Sequence, residues 1–468
     1  MASSASKAPS IPERMLRIFS EVRPGEGSTG LILLLNIFLV LAAYYMVKPV
    51  REGWLSITVV KGLSKMEVKA YSSFAQSIIL LFVIPLYARL ANRMSRRGLI
   101  TAVTLFLQAN LVIFWLLQPG LLAHRIPYAG IVFYLWVGMF GVIAVMQFWA
   151  FAADLYTDEQ GKRLFPLIAV GATAGAVFGS WLTERVIKAG TRETFDLILF
   201  AIVPLSVALV LTWAADRRGA DVLAGPNPTE KKKPPAALDR TGAFRLVFRT
   251  RYLLAIAFLS LLFSWVNSNG ENVLYRVVQD TVEAECHDTG ITDAAAVARF
   301  VKDKTTAFYG NLYLWVNITA LLIQALFVSR FLKHGGVVTI LLMTPLVSFL
   351  SYFLMALMPA LLVIRVMKIA ENATNYSVNN TARHVLWLPL TPSMIYKGKA
   401  ATDTLFVRLG DGFAALTVMV GIQFFLLPIK AFLLFNVFLT LVWVVMAARV
   451  AQQNRKLVKE ISGDNEPA

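Results

Sequence analysis

Charge is scarce in this chain. Only 16% of its 468 residues are Asp, Glu, Lys or Arg, against about 25% in a soluble globular domain, so the polar surface that keeps a soluble fold in water is missing. Cysteine is nearly absent too. Cys286 stands alone, which excludes an intrachain disulfide and every zinc or iron–sulfur spacing built on cysteine. The four histidines, His124, His287, His334 and His384, are scattered, with no carboxylate–histidine spacing that would hold a metal or build a hydrolytic site. No Gly-x-x-x-x-Gly-Lys-Ser/Thr loop occurs, and Gly398-Lys399 is followed by Ala400. An enzyme is therefore not expected, and neither is a cofactor or a metal.

What the chain does have is apolar sequence. Hydrophobic residues make up 57% of it and the mean hydropathy is +0.63. Runs near the ~20 residues that cross a bilayer recur from end to end. They fall at roughly 28–48, 70–91, 99–118, 127–152, 164–182, 195–215, 252–275, 306–328, 337–357, 360–380, 400–426 and 429–449. Only helices or closed barrels satisfy the backbone in lipid, and barrel strands would be about half as long and alternate in polarity. The expected fold is an all-α membrane protein of about twelve spans, with the lipid bilayer as its first partner.

The net charge of +17 does not point to nucleic acid, because of where the charge lies. Arg89, Arg93, Arg96 and Arg97 follow span 2; Arg217, Arg218, Lys231, Lys232, Lys233, Arg240, Arg245, Arg249 and Arg251 follow span 6. Arg330 and Lys333 follow span 8, and Arg455, Lys456 and Lys459 come near the end. The segment after span 7 carries Asp280, Glu283, Glu285, Asp288, Asp293 and Asp303 instead. This positive-inside pattern predicts a multi-pass protein of the cell's inner membrane with both termini cytoplasmic. Lys61, Lys65 and Lys69 after span 1 are the exception. The polar start, with Lys7, Arg14, Arg17 and Arg23, lacks the features of a cleavable signal, so span 1 is expected to remain as an anchor.

Residues 216–251 form the one long hydrophilic connection mid-chain and hold a lysine run and Pro234-Pro235, a composition that reads as a linker. The expected organisation is a cytoplasmic segment 1–27, a six-helix bundle 28–215, a basic linker 216–251, a second bundle 252–449 and a tail 450–468. Six plus six spans is the major-facilitator layout, in which two halves rock about a site near the midplane. The stretch Ala88-Arg-Leu-Ala-Asn-Arg-Met-Ser-Arg-Arg97 resembles the cytoplasmic loop signature of that superfamily. Asn92, Arg93, Arg96, Arg97 and, later in the chain, Lys399 are the gating candidates. In span 5, Gly171, Gly175 and Gly179 recur four apart on one face, the small-xxx-small device that lets a neighbouring helix come close.

Charges inside spans are the most informative residues, since each costs on the order of 3 kcal/mol at a span centre and so tends to face a cavity or a partner. Tyr44, Tyr45, Lys48, Pro49, Arg51 and Glu52 close span 1, with Lys48 and Arg51 three apart on one face; snorkelling to the interface is the alternative there. In span 10, Arg365, Lys368, Asn372, Asn375 and Asn379 follow spacings of three and four and form one polar stripe. Span 7 carries Trp265, Asn267, Ser268, Asn269, Gly270, Glu271 and Asn272, a run that suggests a locally broken helix of the kind that coordinates cargo in transporters. Glu271 is a counter-charge for Lys48 or Arg51, or a proton-coupling carboxylate. Cations exceed anions in this set, which suits phosphate or carboxylate cargo, and Tyr44, Tyr45, Trp149 and Trp265 are of a type that stacks on a base.

Several motifs carry a family resemblance: Phe148-Trp-Ala-Phe-Ala152, Lys162-Arg-Leu-Phe-Pro166 with Gly171, Tyr376-Ser377, Leu388-Pro-Leu390, Lys397-Gly-Lys-Ala-Ala-Thr-Asp403 and Arg408-Leu-Gly410. Through most of its length the chain resembles the nucleotide transporters of plastids and intracellular bacteria, the ATP/ADP translocases distinct from the mitochondrial carrier. The resemblance implies a lysine in span 1, acids in spans 4 and 7, and a lysine after span 10 as the residues associated with nucleotide exchange. Here those positions hold Arg51, Val137 or a neighbour, Glu271 displaced by about one place, and Arg383.

The leading expectation is a secondary transporter that moves an anionic, nucleotide-type phosphorylated solute by alternating access, as an exchanger. Its substrate-binding candidates are Tyr44, Lys48, Arg51, Asn267, Glu271, Arg365, Lys368, Asn372 and Arg383, and its coupling candidates Glu271, Asp403 and Asp411. Two alternatives stand beside it: a proton-coupled transporter of another organic anion, and a membrane scaffold or lipid-handling protein with no transport.

Overall fold

The computed structural model describes residues 26–118, 128–190, 193–223 and 240–462. The expected N-terminal segment up to residue 25, His124, the linker residues 224–239 with Lys231, Lys232 and Lys233, and residues 463–468 lie outside the described residues. Among those described there is no strand. The helices are α1 Gly27–Ser56, α2 Lys65–Arg93, α3 Arg96–Leu116, α4 Ala129–Leu155, α5 Asp158–Ala189, α6 Asp196–Phe200, α7 Ile202–Leu223 and α8 Arg240–Arg249. They continue with α9 Arg251–Asp288, α10 Ala294–Ile323, α11 Ser329–Leu357, α12 Leu361–Thr374, α13 Asn380–Val385, α14 Pro392–Ala401, α15 Val407–Met419 and α16 Ile429–Ser462.

Eleven helices among the described residues are long and apolar enough to span a bilayer. The remaining expected span, near 360–380, is α12, a π turn Asn375–Asn379 and α13 in unbroken succession. Arg365, Lys368, Glu371 and Arg383 make this stretch more polar than the apolar eleven. A helix this charged is stable in a membrane only with its polar stripe turned inward. That is how it lies: Lys368, Glu371 and Asn372 are buried, whereas Leu362 and Val366 are exposed.

Two compact units make up the chain. The first comprises residues 1–58, 82–232 and 302–314, and the second 59–81, 233–301 and 315–468, so each unit takes one segment from the other half of the sequence.

In the first unit α1 packs against α4, α5 and α7. Its approach to α5 is as close as the glycine spacing predicts. A Cβ on Gly171, Gly175 or Gly179 would lie 2.5, 2.1 or 2.3 Å from the carbonyl oxygen of Leu34, Phe38 or Ala42, so backbone meets backbone along three turns. α5 starts at a capping box, where Thr157 and Gln160 satisfy each other's backbone amides. It stops at Gly190, whose φ of 63° places it in the left-handed region. An aromatic core of Trp54, Phe114, Phe133, Trp136 and Phe140 fills the end of this unit beside the C-terminal turns of α1.

In the second unit α9 packs against α15 and α16, and α11 against α12 and α16. The expected break in span 7 is absent. α9 runs unbroken for 38 residues, through Ser268-Asn-Gly-Glu-Asn272 and on into the acidic stretch, so Asp280, Glu283, Glu285 and Asp288 are helical rather than in a loop. Gly270 serves a different purpose there: a Cβ on it would stand 1.9 Å from the Tyr352 hydroxyl and 3.0 Å from Lys368 Nζ. The helix needs glycine for proximity, not for a kink.

Candidate functional site

The second unit holds a buried charge cluster built by three helices. Lys368 on α12 is 0% exposed, with its Nζ 2.8 Å from Glu371 Oε2 and 3.1 Å from Glu271 Oε1. Glu371 lies three residues on along the same helix and is 3% exposed; Glu271 comes from α9 and is 24% exposed. The Tyr352 hydroxyl, from α11, lies 2.8 and 2.9 Å from the two Glu371 oxygens and donates to that carboxylate. Asn372 Nδ2 donates to Glu271 Oε1 at 3.0 Å. Each carboxylate of the cluster therefore meets the Lys368 ammonium and one further donor, and the ammonium meets both carboxylates, the condition under which ions persist away from water. Lys69 on α2, itself buried, stands with its ammonium 5.2 Å from the Tyr275 ring centroid and acts electrostatically on Glu271.

Of the residues expected from the span 10 stripe, Lys368 and Asn372 converge here, and Asn379 bonds back to Asn375 at 2.9 Å within the π turn. Arg365 is half-buried on α12, and Asn267 is half-buried on α9. Within its own unit Glu271 has Lys368 as its counter-charge. Sequence reasoning missed Glu371, Tyr352 and Lys69. Glu371 carries a legible signal, since an acid three residues after a lysine shares its helical face; the partnership with Tyr352 is purely tertiary.

The first unit carries the other cationic group. Lys48 is 8% exposed, and its ammonium lies 4.0, 4.9 and 5.8 Å from the ring centroids of Tyr313, Tyr45 and Tyr44. Arg51 places its guanidinium 4.5 Å from the Tyr134 ring, and its Nε donates to the buried carboxylate of Glu52 at 3.0 Å. These side chains do not snorkel outward at a helix end. α1 continues past them to Ser56, and aromatic faces receive the positive charge. Close packing sets the cage: a Cβ on Gly141 would lie 2.6 Å from the Tyr44 ring.

The remaining candidates fall in separate places. Arg383 on α13 pairs with Asp403 at 2.5 Å, so an expected substrate residue and an expected coupling residue neutralise each other. Asp411 accepts hydroxyl hydrogen bonds from Ser77, Ser264 and Ser268 at 2.5, 2.7 and 2.7 Å, with Arg408 at 3.5 Å, and so ties α2, α9 and α15. Arg96 and Arg97 both pair with Asp216 on α7, a partner that sequence reasoning did not supply. Asn92 and Arg93 are exposed at the end of α2, and Lys399 is half-buried on α14. Among the expected stacking aromatics, Trp265 donates to Thr417 at 3.0 Å and packs on Phe413, while Trp149 packs on Phe148 and Phe165.

The chain is 22% identical to ADP,ATP carrier protein 1 of Chlamydia pneumoniae over 406 residues, covering 75% of this chain and 74% of that protein. It is 20% identical to ADP,ATP carrier protein 4 of Rickettsia felis over 358 residues, covering 68% of this chain and 65% of that one, just short of two thirds of the relative's length. Among solved structures, the crystal structure of the nucleoside transporter NupG matches with a TM-score of 0.58 at 13% identity, over 90% of this chain and 98% of that chain. At that identity the likeness shows the fold, which is major-facilitator-like. Residues 118–455 match the pattern of the TLC ATP/ADP transporter family, and the chain belongs to that family.

Proposed function

We infer that the protein is a secondary transporter that exchanges nucleotide-type phosphorylated solutes by alternating access. The observation that carries this reading is Lys368, a fully buried ammonium on α12, held ready by two carboxylates. A lysine placed there at such desolvation cost is explained by an anion that must meet it. Lys48 and Arg51 offer further cations in the first unit, and Arg in particular suits the paired oxygens of a phosphate. The relatives named ADP,ATP carrier protein support adenine nucleotides as the cargo. In this reading the nucleotide is moved and not consumed, as the missing phosphate-binding loop already suggests. The basic clusters Arg89 to Arg97 and Arg240 to Arg251 support an inner-membrane location with both termini cytoplasmic.

A second reading has its own observation. Two carboxylates on one lysine, Glu271 and Glu371, supply a place for a transported proton, which favours proton-driven uptake of an organic anion.

Thermal-shift measurement on the purified protein tests the cargo class. A ligand at about 100 times its dissociation constant stabilises the folded state by about 2.7 kcal/mol. The expected result is a clear rise in unfolding temperature with ATP and ADP, absent with adenosine and lost in Arg51→Ala. An equal shift with simple carboxylates and none with nucleotides would overturn the nucleotide assignment.

A further inference from the structure

The buried cluster is asymmetric, and the asymmetry assigns different work to its two carboxylates. Glu371 shares a helix with Lys368, makes the shorter contact, receives the Tyr352 hydroxyl and is sealed from solvent. Glu271 arrives from another helix, makes the longer contact and is the member exposed at 24%. An anion reaching this site can replace Glu271 without leaving Lys368 short of a partner, because Glu371 stays. It cannot replace Glu371 without pulling apart contacts within one helix and the bond from Tyr352.

We propose that Glu271 is a built-in stand-in for a cargo phosphate. In the empty carrier it occupies Lys368 and Asn372 and latches α9 to α12; a phosphorylated solute displaces it, takes over both donors and releases the latch. Glu371 is the positioning residue that keeps Lys368 charged and aimed. This rests on the reading of the protein as a carrier of phosphorylated solutes and adds a cause for exchange. Without cargo, α9 and α12 stay tied through Lys368–Glu271 and Asn372–Glu271, so the empty protein turns over slowly. With cargo the tie is gone, and transport in one direction calls for a loaded return.

Two variants that change the charge equally separate this mechanism from simple electrostatics. Glu271→Gln and Glu371→Gln each remove one negative charge, so a general field effect would tighten anion binding in both. Displacement predicts opposite signs. Glu271→Gln removes the competitor and lowers the dissociation constant for ATP by about tenfold, as expected when the binding-competent fraction rises. Glu371→Gln leaves Glu271 as the sole carboxylate on Lys368, tightens the latch and weakens ATP binding.

Calorimetric titration of full-length protein in nanodiscs with ATP, and with pyrophosphate as a second probe, reads these signs. Efflux of labelled ADP from proteoliposomes reads the latch. Wild type should release ADP much faster into medium containing ATP than into nucleotide-free medium, and in Glu271→Gln the two rates should approach each other. Glu271→Asp, one methylene shorter, should fall between wild type and Glu271→Gln and serves if the glutamine variant does not fold. Affinity shifts in the same direction for Glu271→Gln and Glu371→Gln, or efflux that still depends fully on external ATP in Glu271→Gln, overturn the proposal while leaving the carrier reading intact. Opposite shifts with pyrophosphate and no response to nucleotides would uphold displacement and refute nucleotide as cargo. Absence of binding by every variant to both probes overturns the proposal.

Discussion

At Gly270 the whole cluster depends on an absent side chain. Its Cα faces the Tyr352 hydroxyl and Lys368 so closely that any Cβ would stand 1.9 Å from the former. Gly270→Ala should therefore push Tyr352 off Glu371 and destabilise the protein by about 1–3 kcal/mol, the usual range for overpacking. Thermal unfolding in detergent checks this; an unchanged midpoint would mean that the cluster is looser than its distances suggest. Single residues were only partly legible beforehand. Lys48, Arg51, Lys368 and Asn372 stood out because a charge or amide in an apolar run is conspicuous by composition alone. Their partners were not. Tyr134, Tyr313 and Tyr352 look like any other aromatic in such a chain, and only tertiary packing brings them to the cations.

Elements were easier to read than partners, because span length and apolarity are local properties. The expected spans correspond to helices, but the helices overrun them: α9 continues to Asp288 and α16 to Ser462, since helical hydrogen bonding does not stop where hydrocarbon does. Misreading Ser268-Asn-Gly-Glu-Asn272 as a break has the same origin. Polar residues mark a loop in water, yet in a membrane bundle they mark an inward face. The glycine ladder of α5 was the clearest local signal and has a sharp consequence. Gly175→Ala would put a Cβ 2.1 Å from the Phe38 carbonyl and force α1 and α5 apart, whereas Gly310→Ala meets nothing nearer than 3.3 Å. Gly175→Ala should lower the unfolding temperature well below that of Gly310→Ala; equal midpoints would show that the α1–α5 contact yields without cost.

For the whole molecule, family membership and fold set the frame, and in the proposed function the buried cations supply the chemistry. A major-facilitator-like bundle can carry many cargoes, so fold alone leaves the substrate open. The choice of a phosphorylated anion rests on Lys368 with its paired carboxylates and on Lys48 and Arg51 among tyrosines. Uptake of labelled ATP into proteoliposomes tests this most directly. Nucleotide exchange predicts an initial rate several-fold higher when the vesicles are preloaded with ADP than with buffer, and unchanged when an uncoupler abolishes the proton gradient. Uptake that ignores internal ADP and follows an inward proton gradient would contradict it and favour proton-coupled transport; no uptake under either condition would contradict both.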